Sequence, residues 1–309
     1  MKRQWLGFLL KAGISAALLV FLFKRMDGVE LAERLGQVDA SLLILGYLAF
    51  ISTLLLQALR LCGVASLVAP LRYLPALAIT WIGFAFGQIL PSQVGGDPFR
   101  VWYLGKQNIR LREGFMIVLA DRVFGFIALF ILLAAGLPWL FSLTNEPLLR
   151  LFAVLLVLAG LAAWLAAAWF DNLANGLMSS SWLRFVPSWL VEASAFLRRT
   201  TFSLIPAIRG FGISLLANMG QAATAWLLAC GLGVEIGFFA LLILMPLVNL
   251  ATFLPVSIAG WGLREAVLVP ALALLGLEPG AALAFSVLIG LVQLAAGLPG
   301  LGIWLTLRR

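Results

Sequence analysis

A segment that must cross a bilayer tolerates Pro, Gly and charge only where protein or water receives the exposed backbone. This chain breaks two of its apolar runs in that way, and in matching fashion: LPSQVGGDPFR at residues 90–100 and LPVSIAGWGLR at residues 254–264. Each begins Leu-Pro, carries a Ser and a Gly pair or Gly-x-Gly, and ends in Arg nine residues after its Pro. Asp97 lies inside the first motif and Glu265 directly follows the second. Matching breaks in two halves of a chain point to the binding site of a transporter.

The rest of the chain fits that setting. Of its 309 residues, 63% are hydrophobic and 11% charged, and the mean hydropathy is +1.09. Several runs are long enough for a hydrocarbon layer of about 30 Å. At the N-terminus, Lys2 and Arg3 precede an apolar stretch, but Lys11 interrupts it and the stretch continues to Phe23 without a small-x-small site. An uncleaved first span is expected. With Cys62 and Cys230 in apolar runs and no histidine, neither a disulfide framework nor His-based metal or acid–base chemistry is expected. The sequence suggests no cofactor and no metal. The net charge of +8 sits at span ends, which suits anionic lipid headgroups rather than nucleic acid.

The fold expected is all-α, a polytopic membrane helix bundle forming a single domain over residues 1–309. Full spans are placed near 5–23, 41–68, 113–139, 147–170, 207–231 and 280–306. The motifs at 90–104 and 254–269 divide the remaining apolar segments into a longer and a shorter arm: 74–90 with 97–107, and 236–254 with 262–275. The short arms fall below the roughly 20 residues a crossing needs. Both regions therefore read as re-entrant helical hairpins. Three spans separate them, so as hairpins they enter from opposite sides as an inverted repeat; if either segment is instead a full crossing, the inversion fails.

Basic residues support the assignment. With a cytoplasmic N-terminus, the inner segments hold Lys2, Arg3, Arg72, Lys106, Arg110, Arg112, Arg184, Arg198, Arg199, Arg308 and Arg309. Outer segments 140–147, 232–235 and 276–279 hold no Lys or Arg. Residues 24–40 dissent with Lys24, Arg25 and Arg34, and are read as a surface helix on the outer face. The loop 171–206 reads as one or two interfacial amphipathic helices, around Trp182–Trp189 and Val191–Thr200.

Charge within the bilayer costs on the order of 2.5–3.5 kcal/mol per group even on lenient scales, so it must find partners. Asp97 and Arg100 share a helical face; Asp97 either caps the short arm, with Pro98 in its first turn, or joins a phosphate site with Ser92, Gly95, Gly96 and Arg100. In the second hairpin Ser257, Gly260 and Gly262 leave backbone bare. Arg264 and Glu265 there either lock the arm as a pair or serve a headgroup. Asp121 and Arg122 diverge by about 100° on one helix and need separate partners, a hairpin among them. Arg60, mid-span, faces the cavity or reaches for the interface. Gln57, Gln88, Asn218, Gln221, Asn249 and Gln293 read mainly as interhelical hydrogen-bonding groups, with Asn249 the best placed for a cavity. No nucleophile–base set or nucleotide-binding loop is present, so an enzyme is not expected.

Through LPSQVGGDPFRVWYL, LADRVFGFIAL and LPVSIAGWGLREAVLV, in that order, the chain resembles the flippase-like membrane family that includes the transmembrane region of lysylphosphatidylglycerol synthases. The resemblance covers essentially the whole chain. It implies handling of anionic or aminoacylated phospholipids, or other lipid-linked intermediates, at a bacterial cytoplasmic membrane. It carries over Pro91, Ser92, Gly95, Gly96, Asp97, Arg100, Asp121, Arg122, Pro255, Ser257, Gly260, Gly262, Arg264 and Glu265. The synthases also carry a soluble aminoacyl-transferase domain; this sequence ends at Arg309, so lipid aminoacylation by this chain alone is not expected. Ala259 and Trp261 stand where many relatives have Gly and a smaller residue.

The expectation is a lipid flippase whose headgroup sits between the hairpins on Arg100 and Arg264, with Arg60, Asp121, Arg122 and Asn249 in support. The rivals are a non-transporting partner that presents lipid to a separate envelope lipid-modifying enzyme, and a membrane-embedded transferase using Asp97 or Glu265 as base.

Overall fold

The computed structural model describes residues 28–90, 93–177, 187–254, 257 and 259–307, with backbone only at 28–30, 93 and 174–177. Among them are eleven α-helices and one 3-10 turn, and no strand. A short surface helix, α1 (Gly28–Gly36), leads into α2 (Ala40–Ala65). Asp39 starts α2 by accepting from the amides of Ser41 at 2.8 Å and Leu42 at 3.1 Å, and from the Ser41 hydroxyl. These are amides that no helical carbonyl can reach.

After α3 (Tyr73–Gly87) the chain makes a 3-10 turn, Gln93–Gly96, and returns in α4 (Asp97–Gly105) with Pro98 in the first turn. There its missing N–H costs nothing. Next come α5 (Leu111–Leu143) and α6 (Pro147–Leu177), then the surface helix α7 (Ser188–Phe202) and α8 (Leu204–Gly231). A second short pair, α9 (Phe238–Phe253) and α10 (Leu263–Ala273), precedes α11 (Pro279–Leu307).

Five helices, α2, α5, α6, α8 and α11, are long and apolar enough to span a bilayer. They coincide with five of the six expected spans; the sixth, 5–23, lies outside the described residues, as do Pro91, Ser92, Pro255 and Trp182. The main difference is α6, which continues past residue 170 to Leu177. Asp171 therefore lies inside a helix. The reason is its partner: Arg198 on α7 reaches its Oδ2 at 2.6 Å. Only the second expected part of the 171–206 loop is seen as a helix, α7, since residues 178–186 lie outside the description.

The arms α3, α4, α9 and α10 are about 22, 14, 24 and 16 Å long at 1.5 Å per residue. None spans the hydrocarbon alone. Contacts at their ends fix the sides. Lys106, just after α4, donates to the Leu307 carbonyl at the end of α11 at 3.1 Å, and Arg112 at the start of α5 pairs with Glu192 on α7 at 2.9 Å. The open ends of α3 and α4 therefore share a face with α7 and the end of α11. On the opposite face, the Asp39 amide donates to Gly231 at 3.0 Å and Arg34 pairs with Glu278 at 2.7 Å. There α9 and α10 begin and end. The two hairpins enter from opposite faces, which is the inverted arrangement.

Helices in lipid associate through close packing rather than through a hydrophobic drive between them. On α11, a Cβ at Gly300 would lie 2.3 Å from the Trp81 carbonyl oxygen, so α3 and α11 touch backbone to backbone. Trp81 Nε1 donates to the Ala296 carbonyl at 2.7 Å and fixes their register. Phe285, Leu241, Leu268 and Leu272 form one fully buried core around the second hairpin, and Leu61, Ile82, Leu104, Ile117 and Phe124 another around the first. The outermost helix, α6, turns Leu148, Phe152, Leu155 and Leu158 outward, as a lipid-facing helix does.

Candidate functional site

The first hairpin folds back tightly enough to bring its charges under α5. A Cβ on Gly96 would fall 1.8 Å from the Gly83 carbonyl oxygen, so only glycine lets the turn close against α3. The stem of Arg100 lies over Gly83, where a Cβ would meet its Cγ at 2.4 Å. Phe86 and Phe99 stack at 3.7 Å between ring centroids across the same two arms. Packing thus sets the rotamer of Arg100, and its guanidinium points toward Asp121.

Asp121 is 1% exposed and divides its carboxylate between two helices. Oδ1 accepts from Arg60 Nε at 2.7 Å, and Oδ2 from Arg100 Nη2 at 2.6 Å. Arg60 also donates to the Ser214 hydroxyl at 2.8 Å, tying α2, α5 and α8 together. One residue on, Arg122 points the other way, as helix geometry requires. Its Nε lies 3.1 and 3.0 Å from the two oxygens of Asp97, and its Nη2 lies 2.8 Å from Oδ1. Arg100 Nη1 stands 3.5 Å from the same Asp97 oxygen. Asp97 is the first residue of α4 with Gly96 at the cap position, so its carboxylate serves Arg122 rather than the helix terminus. Arg122 also lies over the Phe253 ring at 4.8 Å, which links the first hairpin's network to the last residue of α9.

These groups border a cavity of about 160 Å³ inside the bundle. Arg60, Arg100, Asp121, Arg122 and Asn249 line it. So do all six carboxamides singled out in the sequence: Gln57, Gln88, Asn218, Gln221, Asn249 and Gln293. Interhelical bonding and cavity lining coincide here, since Asn249 donates to Gln221 Oε1 at 2.6 Å while both face the cavity. Two of its lining residues each bury a polar atom, Arg100 Nε and Thr80 Oγ1, that has no hydrogen-bond partner among the described residues. Burying such groups unsatisfied is costly.

The second hairpin is built differently. Arg264 and Glu265, 3% and 0% exposed, close on each other, with Nε and Nη2 at 3.1 and 2.9 Å from Oε1. Ser286 donates to the same oxygen at 3.0 Å, and the Gly262 amide donates to Oε2 at 2.6 Å. Gly262 has φ +87°, which lets Glu265 reach back over the start of α10. The amide that the sequence leaves bare is therefore occupied. Trp261 covers the guanidinium at 4.5 Å, and a Cβ at Gly290 would meet Arg264 Nη2 at 2.2 Å. Among the described residues, Arg264 meets the cavity wall through Gln293, whose Oε1 lies 3.3 Å from its Nη1. Gly260 (φ +80°) packs on Thr252, and the buried Ser257 hydroxyl has no partner among the described residues. Gly95 packs on Leu90.

The structure thus gathers Arg100, Arg60, Asp121, Arg122 and Asn249 around one space and holds Asp97 directly behind them. Arg264 and Glu265 form a separate sealed pair beside it, and Ser92 lies outside the described residues. Sequence reasoning missed Thr80, Ser214 and the aromatic wall of Phe50, Phe84, Phe126 and Phe253. A Gly-x-x-x-Gly step at Gly83 and Gly87, both at the cavity, was the available signal that another group approaches α3 there. No group of His, Cys, Asp and Glu suited to a metal occurs among the described residues.

A family model described as Lysylphosphatidylglycerol synthase TM region matches residues 8–300. None of the curated proteins compared with the chain matches it.

Proposed function

This chain belongs to the lysylphosphatidylglycerol synthase transmembrane-region family, and from that premise we propose that it is a lipid translocase. It moves a phospholipid or lipid-linked intermediate across a bacterial cytoplasmic membrane by holding the headgroup in the cavity while the acyl chains stay in lipid. The supporting observation is the placement of Arg60, Arg100 and Arg122 around one cavity inside a bundle whose outer helices are apolar. Arginine suits a phosphodiester because its planar fork donates two parallel hydrogen bonds. Two hairpins entering from opposite faces supply the elements that alternate access requires.

The orientation follows from charge. The face carrying Arg72, Lys106, Arg110, Arg112, Arg198 and Arg199 is the cytoplasmic one, against Arg34 and Arg150 on the other. No bond-making step is assigned to the chain. Asp97, Asp121 and Glu265 are each held by arginine, and both oxygens of each already accept hydrogen bonds from protein donors.

The test is movement of fluorescently labelled lipid in vesicles containing the purified full chain, followed by quenching of the outer leaflet. Wild type should equilibrate label between leaflets, and Arg100→Gln should not. Headgroup binding without movement would favour the lipid-presenting role over transport.

A further inference from the structure

The ion network beside the cavity leaves a remainder. Among the described residues, the guanidiniums of Arg60, Arg100 and Arg122 meet the carboxylates of Asp97 and Asp121, so the network holds one formal positive charge in excess. Arg264 and Glu265 cancel as a pair and leave the count unchanged. A lone excess charge inside a bundle surrounded by lipid is costly until a counter-ion reaches it.

Most of the spare donors here are shut away. Thr80 Oγ1, Arg100 Nε, Tyr103 OH and Ser257 Oγ lack a partner among the described residues and are sealed from solvent. Arg60 is different. Its Nε is spent on Asp121 and its Nη1 on Ser214, which leaves Nη2 without a hydrogen-bond partner among the described residues. Nη2 is not one of the sealed atoms, and Arg60, with 8% of its side chain accessible, lines the cavity. Gly125 accounts for the opening. It lines the same cavity, and a Cβ on it would stand 3.4 Å from Nη1 and 3.7 Å from Nη2. With only hydrogen in that place, the edge of the fork stays uncovered.

A second donor has its sense fixed by the other hairpin. Arginine only donates, so Gln293 turns its Oε1 to Arg264 at 3.3 Å, and its N–H groups are the end left for the cavity it lines. Gln57 lies three residues before Arg60 on the same face of α2 and lines the cavity as well. The carboxylates offer nothing to a cation. Both oxygens of Asp121 are taken by Arg60 and Arg100, and both of Asp97 accept from Arg122. The open groups therefore match an ion that only accepts hydrogen bonds. One excess charge calls for one negative charge; sulfate or a phosphate dianion would exchange an excess positive charge for an excess negative one.

We propose that the cavity is a binding site for a halide ion, chloride in the cell, held at Arg60 Nη2 with amide donors from Gln57 and Gln293. Its role is to neutralise the ion network that ties the first hairpin to the bundle, and that role is independent of any movement of lipid.

The test is the melting temperature of the purified full chain in detergent, with sodium gluconate replaced stepwise by sodium chloride, bromide or sulfate at constant ionic strength. Chloride and bromide should raise it along a saturating curve, as a ligand bound only by the folded state does, and sulfate should not. Gly125→Ala brings a methyl carbon no nearer than 3.4 Å to Arg60, an ordinary contact, while covering the edge of its fork. In gluconate it should melt at or above the wild-type temperature, since Ala favours a helix. Its half-saturating chloride concentration should rise at least about tenfold, the factor that one hydrogen bond to a charged group supplies. Gln57→Leu, outside the ion network, should weaken chloride too. Equal stability in gluconate and chloride overturns the assignment, as does tighter binding of sulfate than of chloride, or unchanged chloride affinity in both variants. The vesicle assay separates this from the transport reading. Saturable chloride binding by a chain that moves no lipid leaves the site standing and removes transport, whereas lipid movement by a chain indifferent to chloride keeps transport and removes the site.

Discussion

Asp121 and Arg100 meet at 2.6 Å across two structural units, the long span α5 and the return arm of the first hairpin. The contact is buried at both ends, and Asp121's second oxygen is already committed to Arg60. One carboxylate therefore ties the hairpin to the bundle and also sets the charge of the cavity. Removing a partner from a buried pair costs far more than the pair's net worth, because the other charge is left stranded.

Asp121→Asn should accordingly be among the most destabilising single changes in the chain, on the order of 3–5 kcal/mol. The amide keeps the shape and one acceptor but strands two guanidiniums. Adding Arg60→Gln should recover part of the loss. Melting temperature and folded yield in detergent report it, and a double mutant no more stable than Asp121→Asn alone would show that Arg60 is not the coupled group.

Much of this arrangement is legible in the sequence, and the part that is not has a definite cause. The Pro and Gly breaks locate both hairpins because backbone opened in hydrocarbon must be received by protein. The adjacent Asp121 and Arg122 announce two different partners because a helix turns them apart. Periodicity, however, gives a face and never its neighbour. Arg100 and Arg264 stand at equivalent positions of two matching motifs, yet only Arg100 lines the cavity. Glu265, next in sequence, captures Arg264, whereas Asp97 is occupied from outside the motif by Arg122. Thr80 in LAITWIG looks like any residue of an apolar span until the fold sets it beside Arg100 in the lining of the cavity.

The glycines separate into those that touch another backbone and those that do not, which gives a test within one hydrophobic chain. Gly96→Ala places a methyl carbon 1.8 Å from the Gly83 carbonyl oxygen, a clash with backbone that no rotamer relieves. It should open the first hairpin and abolish lipid movement. Gly212→Ala on α8 meets nothing within 4 Å and should be neutral or stabilising by up to about 1 kcal/mol, since Ala restricts the unfolded chain. Equal melting temperatures for the two variants would contradict the close contact of Gly96 with Gly83.

At the membrane surface, Asp171 joins α6 to α7. Its Oδ2 receives Arg198 at 2.6 Å, its Oδ1 the Ser194 hydroxyl at 3.2 Å, and its amide donates to that same hydroxyl oxygen at 3.0 Å. Asp171→Ala should release α7 while leaving the cavity intact. Hydrogen exchange across residues 188–202 should rise, with little change in headgroup affinity.

The second hairpin yields the test that separates a structural ion pair from a ligand site. Glu265 caps α10 through the Gly262 amide at 2.6 Å and neutralises Arg264 at 2.9 Å, so Glu265→Gln removes one buried charge and strands another. A pair that locks the arm predicts a loss of roughly 3–5 kcal/mol in stability. Replacing both, as in Arg264→Met with Glu265→Gln, should restore much of it, because no charge is then left alone and Met fills a similar volume under Trp261. Headgroup affinity in that double variant should stay near wild type, since among the described residues Arg264 reaches the cavity through Gln293 and does not line it. A double variant that is stable yet binds no lipid would instead make Arg264 a ligand group and transfer part of the site to the second hairpin.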